Sequence, residues 1–134
     1  MNASASATSQ PQQQGPPLDA LALAKLQELD PDGRSGIVGR VLKTYDTALA
    51  DSLGRLASAL AARHAADIRQ AAHKLKSSSA SVGALALSGL CGEVEHLALE
   101  GWHETLPRLV EALLAEGRRV QSALACQLGD PGRR

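Results

Sequence analysis

From Ile37 to Leu60, apolar residues recur at steps of three and four. This spacing places one side chain per turn on a single face, which is the pattern of an amphipathic α-helix. The members of the run are Val38, Val41, Leu42, Tyr45, Leu49, Leu53, Leu56 and Leu60. No part of the sequence shows the period-two alternation of a half-buried strand. The chain is therefore constrained to a helical fold.

The core must be built almost without aromatic side chains. Aromatic residues make up 1% of the 134-residue chain, and Tyr45 and Trp102 are the only ones. Leucine, alanine and valine have to fill the interior, which favours closely packed helices. A chain of this length has room for one domain.

A short helix is predicted over Leu18–Leu29, with Asp19 as a possible N-cap. Its expected core contacts are Leu18, Leu21, Leu26 and Leu29. The sequence Asp-Pro-Asp-Gly at 30–33 then predicts a turn. Ser35 could cap the long helix that follows.

Three more helices follow the long one. The first is predicted to start with Asp67 as N-cap and Gln70 completing a capping box, and to end at Gly83. Its buried stripe is predicted as Ile68, Ala72, Leu75, Ser79 and Val82. The next helix stops near Gly101, and the last begins around Thr105 to Pro107, where proline is tolerated in the first turn. Their predicted inward residues are Leu87, Leu90, Cys91, Val94 and Leu97, then Leu109, Val110, Leu113, Leu114, Val120 and Leu124.

Short connections between helices imply antiparallel neighbours. The prediction is an all-α fold: an antiparallel up-down four-helix bundle with a short extra N-terminal helix, spanning 18–128. Residues 1–17 carry no charged side chain and little apolar bulk, so we expect a disordered leader or linker. Residues 129–134 are expected to be a disordered tail.

Composition excludes several functions. The 14 basic and 14 acidic residues balance, so there is no electrostatic case for nucleic acid or for an anionic membrane. No apolar run approaches the roughly 20 residues of a membrane span, and the N-terminus lacks the pattern of a signal peptide.

Cys91 and Cys126 both fall in helical patterns and are expected to be half-buried core thiols. We therefore expect a cytoplasmic protein.

The stretch Ala71–Ala84 carries the candidate chemistry. His73 follows the buried position Ala72 by one residue, which turns it about 100° away from the core stripe. His73, Lys76, Ser77 and Ala80 then share one mostly exposed face. An isolated exposed histidine is usually a bystander, but here a lysine one turn away can pair with an anionic phosphoryl oxygen. The small side chains from Ser77 to Ser81 would leave such a histidine accessible to another protein.

This stretch resembles the histidine-containing phosphotransfer (HPt) domain of bacterial multistep phosphorelays. That family's motif is approximately Ala-His-x-Leu-Lys-Gly-Ser-Ala-x-x-x-Gly-Ala. The matching residues are Ala72, His73, Leu75, Lys76, Ser78, Gly83 and Ala84, and the similarity continues into Leu87, Leu90, Cys91 and Glu95. It covers roughly residues 37–125. One departure is Ser77, which stands where the family usually has glycine.

The resemblance implies a role for each matched residue. His73 would be phosphorylated on Nε2, Lys76 would steady the phosphoryl oxygens, and Ser78 would be a nearby hydroxyl. Ser77 and Ala80 would face the partner. The partners would be receiver domains of a hybrid sensor kinase and of a response regulator. The chain would bind no cofactor of its own, with Mg²⁺ held by the receiver.

The remaining histidines and acids do not form a second predicted site. His64 is predicted in a loop and His103 at a turn, and Cys91 and His96 lack the spaced ligand pairs of a zinc site. Glu93, Glu95 and Glu100 are expected at solvated or rim positions. No Gly-rich phosphate loop is present, so ATP-dependent kinase activity is not expected. We expect a monomeric phosphorelay intermediate. Two alternatives stay open: a docking scaffold that binds receivers without phosphotransfer, and the dimerisation domain of a histidine kinase.

Overall fold

A computed structural model describes residues 16–32 and 36–129, and within these ranges the secondary structure is helix and connecting turns without a strand. The five helices are α1 (Ala20–Gln27), α2 (Ile37–Ala62), α3 (Ala65–Ser81), α4 (Leu85–Ala98) and α5 (Leu106–Leu128). The predicted all-α class is confirmed. Residues 1–15 of the predicted leader, the proposed cap Ser35 and residues 130–134 of the predicted tail lie outside the described ranges.

The core lies between the four longer helices, where α2 packs on α3 and α5, and α4 packs on α3 and α5. Each contributes one apolar stripe, as helix-period spacing requires. The predicted stripe of α3 is buried along its whole length, with Ile68, Ala72, Leu75, Ser79 and Val82 all less than 4% exposed. Tyr45 is buried beside it and forms a hydrogen bond of 2.7 Å between its hydroxyl and that of Ser79. No helix in the described parts of the chain is long and apolar enough to cross a membrane.

Helix α1 is shorter than predicted, and its buried face differs in part from the predicted one. Asp19 caps it as expected, accepting a hydrogen bond from the amide of Ala22 at 2.9 Å. The predicted contacts Leu18 and Leu26 are confirmed, Leu18 as buried and Leu26 as partly buried against the core. The other two, Leu21 and Leu29, are 69% and 60% exposed, and Leu23 is buried instead. The docking of α1 on the α3–α4 turn selects this face.

That docking depends on Gly83. The amide of Asp19 donates to the carbonyl of Gly83 at 2.7 Å. A Cβ atom on Gly83 would lie 2.7 Å from the Cβ of Ala22, and the φ of Gly83 is +86°. Glycine is the residue that adopts this backbone region without strain. Gly83, the predicted end of α3, is thus also the residue against which the start of α1 packs.

The predicted N-cap of α3 is wrong. The helix begins at Ala65 with His64 as N-cap, and Asp67 lies in the first turn, where its carboxylate is 3.1 Å from Nδ1 of His64. Arg63 takes the left-handed conformation, and the amide of His64 donates back to Ala59. This tight end of α2 leaves only two residues for the connection, so α3 starts earlier than the capping-box pattern indicates.

Candidate functional site

His73 lies on the outer side of α3 because the neighbouring positions Ala72 and Leu75 turn inward. Its side chain is 65% exposed, whereas Ala72 and Leu75 are 0% and 1% exposed. The histidine is therefore held by a buried helix face without being part of the core. This is the position that the sequence predicts.

A carboxylate from α4 meets the imidazole. Nδ1 of His73 lies 2.6 Å from Oε2 of Glu95, and the Glu95 side chain is only 19% exposed. Glu95 lies at the rim of the contact between α3 and α4, which is one of its two expected positions, and the packing of α4 on α3 turns its side chain toward His73 rather than into solvent. Glu93 and Glu100 are exposed as expected.

Lys76 joins the same carboxylate. Its Nζ lies 2.7 Å from Oε1 of Glu95, so the two oxygens of one carboxylate serve two residues of α3. The pKa of Glu95 lies below its ordinary value. The main cause is the hydrogen bond from Lys76, and the hydrogen bond from His73 lowers it further. Glu95 is therefore ionised at neutral pH.

The ionised carboxylate fixes the tautomer of the histidine. An ionised carboxylate can only accept hydrogen bonds, so Nδ1 of His73 must carry the proton. In the neutral ring, Nε2 then has the lone pair. Nε2 makes no hydrogen bond within the described residues. The exposed imidazole thus has a nucleophilic Nε2, while its Nδ1 is held by the hydrogen bond to Glu95.

Two further contacts hold Lys76 and α4 together. The Ser88 hydroxyl donates to the carbonyl of Lys76 at 2.9 Å. The stem of Lys76 passes Gly92, where a Cβ atom would lie 3.5 Å from its Cδ. These contacts belong to the wider packing of α4 on α3, which holds Glu95 beside His73.

The remaining predicted site residues occupy different positions. Ser77 and Ala80 are exposed and follow His73 by one and two turns of α3. The Ser78 hydroxyl donates to the carbonyl of Leu75 at 3.2 Å, so it is engaged within its own helix rather than with His73. The structure brings His73 and Lys76 together through Glu95 and does not bring Ser78 to them.

The other candidates form no second site. His64 pairs with Asp67, His96 is exposed, and Nδ1 of His103 accepts a hydrogen bond from the amide of Thr105 at 3.0 Å. Among the described residues, no group of three histidine, cysteine or acidic side chains could hold a metal ion.

Cys91 is a core residue, as its place on the predicted inward face of α4 implies, whereas the half-buried position expected for Cys126 is wrong. Cys91 is fully buried, and desolvation by burial raises its pKa to about 12, so its thiol is inert at neutral pH. Cys126 is exposed.

Comparisons with known proteins identify the family of the chain. A sequence model of the Hpt domain matches residues 40–123. The chain is also similar to the crystal structure of histidine-containing phosphotransfer protein B from Pseudomonas aeruginosa PAO1. The two share 31% sequence identity, the match covers 86% of this chain and 96% of that one, and the TM-score is 0.75. The comparison with curated proteins gave no match.

Proposed function

Because this chain belongs to the Hpt domain family, we propose that it accepts a phosphoryl group on Nε2 of His73 from a receiver domain and passes it to another. Family membership supports the general role, phosphotransfer in a phosphorelay. The observation that carries the specific site is the 2.6 Å contact between Nδ1 of His73 and Glu95, because it leaves the lone pair on the exposed nitrogen.

The transfer is a displacement at phosphorus. The lone pair of Nε2 attacks the phosphorus of a receiver's phospho-aspartate, the bond between phosphorus and the aspartate oxygen breaks, and the aspartate leaves as a carboxylate. The imidazole gains positive charge as the new bond forms. Glu95 stabilises that charge through the Nδ1 proton, in the way a buried carboxylate supports an imidazolium.

The same hydrogen bond makes the step reversible. When the carboxylate of a second receiver attacks the phosphorus, the bond to Nε2 breaks and the ring leaves with its proton still on Nδ1. The leaving group is then a neutral imidazole rather than an imidazolate anion. Under this proposal Glu95 is a positioning residue for both directions, and Mg²⁺ would be held by the receivers.

Small side chains around His73 fit a protein partner. Ser77 and Ala80 extend the exposed face of α3 without bulk. We propose that the receivers, those of a hybrid sensor kinase and of a response regulator, approach across this face and that the chain acts as a monomer.

The four longer helices are proposed to form the antiparallel up-down bundle predicted from the sequence. The support is the order of contacts between α3 and α4. His73 meets Glu95, while one turn later the stem of Lys76 passes Gly92 and its backbone carbonyl accepts from Ser88. Residue numbers therefore rise along one helix as they fall along its neighbour.

The test is transfer from a phosphorylated receiver to the chain. The wild type should gain phosphate that is labile in acid and stable in alkali, and His73→Gln should gain none while keeping its helical circular dichroism and unfolding midpoint. His96→Gln is the matched control, because His96 is also exposed but lies on α4. Binding of the phosphorylated receiver without transfer would favour a docking scaffold instead.

A further inference from the structure

A second cation lies beside His73 on α3. Arg69 precedes His73 by four residues, one turn of the helix, and is half-buried. Arg69 makes no hydrogen bond or ion pair with any residue that the structure describes.

Helix geometry places Arg69 and His73 on the same face of α3. Side chains of an α-helix lean toward its N-terminus, and Arg69 is on the turn that precedes His73 in that direction. Residues four apart have Cβ atoms roughly 5–6 Å from each other. A group attached to Nε2 would be within reach of a flexible arginine side chain.

The negative charge of a phosphoryl group would attract the Arg69 guanidinium. A phosphoryl group brings roughly two negative charges to the site, next to the carboxylate of Glu95. Lys76 is the cation on the α4 side of His73, but its ammonium is already 2.7 Å from Glu95. Lys74 is also exposed and follows His73 directly, which turns it about 100° away around α3. Arg69 and Lys76 are thus the cations of α3 that flank the imidazole, and Glu95 is the charged group from α4 that contacts it.

We propose that Arg69 binds the phosphoryl group of phosphorylated His73, its guanidinium donating hydrogen bonds to the phosphoryl oxygens. The planar guanidinium suits this task, because its paired N–H groups match two phosphate oxygens at once. Lys76 remains paired with Glu95, whose other oxygen holds the Nδ1 proton. This assignment rests on the proposed phosphorylation of His73.

The test uses phosphoramidate as the phosphate donor, so no receiver is required. The lone pair of Nε2 attacks phosphorus, the phosphorus–nitrogen bond of phosphoramidate breaks, and ammonia leaves. The pKa of the bound phosphoryl group is then read from its ³¹P chemical shift as pH is varied. A nearby cation favours the dianion, so Arg69→Gln should raise this pKa by about 0.2–0.7 units.

Lys74→Gln is the matched control, since it removes one positive charge from the same helix on another face. Its titration should stay within about 0.1 unit of wild type, because the charge lies on a different face and is screened. If Arg69→Gln unfolds, Arg69→Met keeps the apolar stem and takes its place. Equal titration of wild type and the Arg69 variant overturns the proposal while leaving phosphorylation of His73 intact. A wild type that takes no phosphate on His73 overturns both.

Discussion

The carboxylate of Glu95 links His73 and Lys76, accepting from Nδ1 of the histidine at 2.6 Å and from the ammonium of the lysine at 2.7 Å. One side chain on α4 therefore sets both the tautomer of the imidazole and the place of the lysine. The chemistry of an exposed histidine thus depends on the packing of two helices.

Glu95→Gln should slow phosphate acceptance by roughly tenfold to a hundredfold. The amide can donate to Nδ1 as well as accept from it, so it no longer enforces a lone pair on Nε2. Time courses of transfer from a phosphorylated receiver measure the effect. Glu93→Gln is the control on an exposed face of the same helix, and equal rates for the two variants would contradict the role of Glu95.

Lys76→Ala should also slow transfer by roughly tenfold to a hundredfold. The loss of the ammonium raises the pKa of Glu95 toward its ordinary value and frees the carboxylate to move. Thermal stability should change little, because Lys76 is 40% exposed. Lys74→Ala should leave the rate near that of wild type. Equal slowing by both would indicate general attraction of the receiver rather than a contact specific to Lys76.

Leu75→Ala should lower the free energy of unfolding by about 2–5 kcal/mol, because Leu75 is 1% exposed and its truncation leaves a cavity. Leu21→Ala, at a position 69% exposed, should change it by less than about 0.5 kcal/mol. Urea unfolding followed by circular dichroism compares the two. A fully stable Leu75→Ala protein would mean that α3 is rotated and that His73 faces elsewhere.

Gly83→Ala should destabilise the protein by about 1–3 kcal/mol, because the residue has a φ of +86° and its new Cβ would meet Ala22. In Gly54→Ala the added Cβ has nothing within 4 Å, so this helical substitution should stabilise by about 0.5–1 kcal/mol. Opposite shifts of the thermal unfolding midpoint are the expected result. A neutral Gly83→Ala would show that α1 does not need this close approach.

Local patterns were sufficient for the number and order of the helices and for the buried face of α3. The stripe through Leu75 is buried as its spacing predicts, and the same rotation places His73 outside. Contacts between helices were not predictable in this way. The pairing of His73 with Glu95 joins residues 22 positions apart, and no local spacing indicates it. The burial of Leu23 in place of Leu21 likewise depends on how α1 docks on Gly83.

The most direct test of the account locates the phosphorus and the ring proton together. In protein labelled with ¹⁵N on histidine and phosphorylated by a receiver, nitrogen–phosphorus coupling identifies the bonded nitrogen and the ¹⁵N shifts report the protonated one. The account predicts phosphorus on Nε2 of His73 with the proton retained on Nδ1, facing Glu95. Phosphorus on Nδ1, or on any residue other than His73, would contradict it.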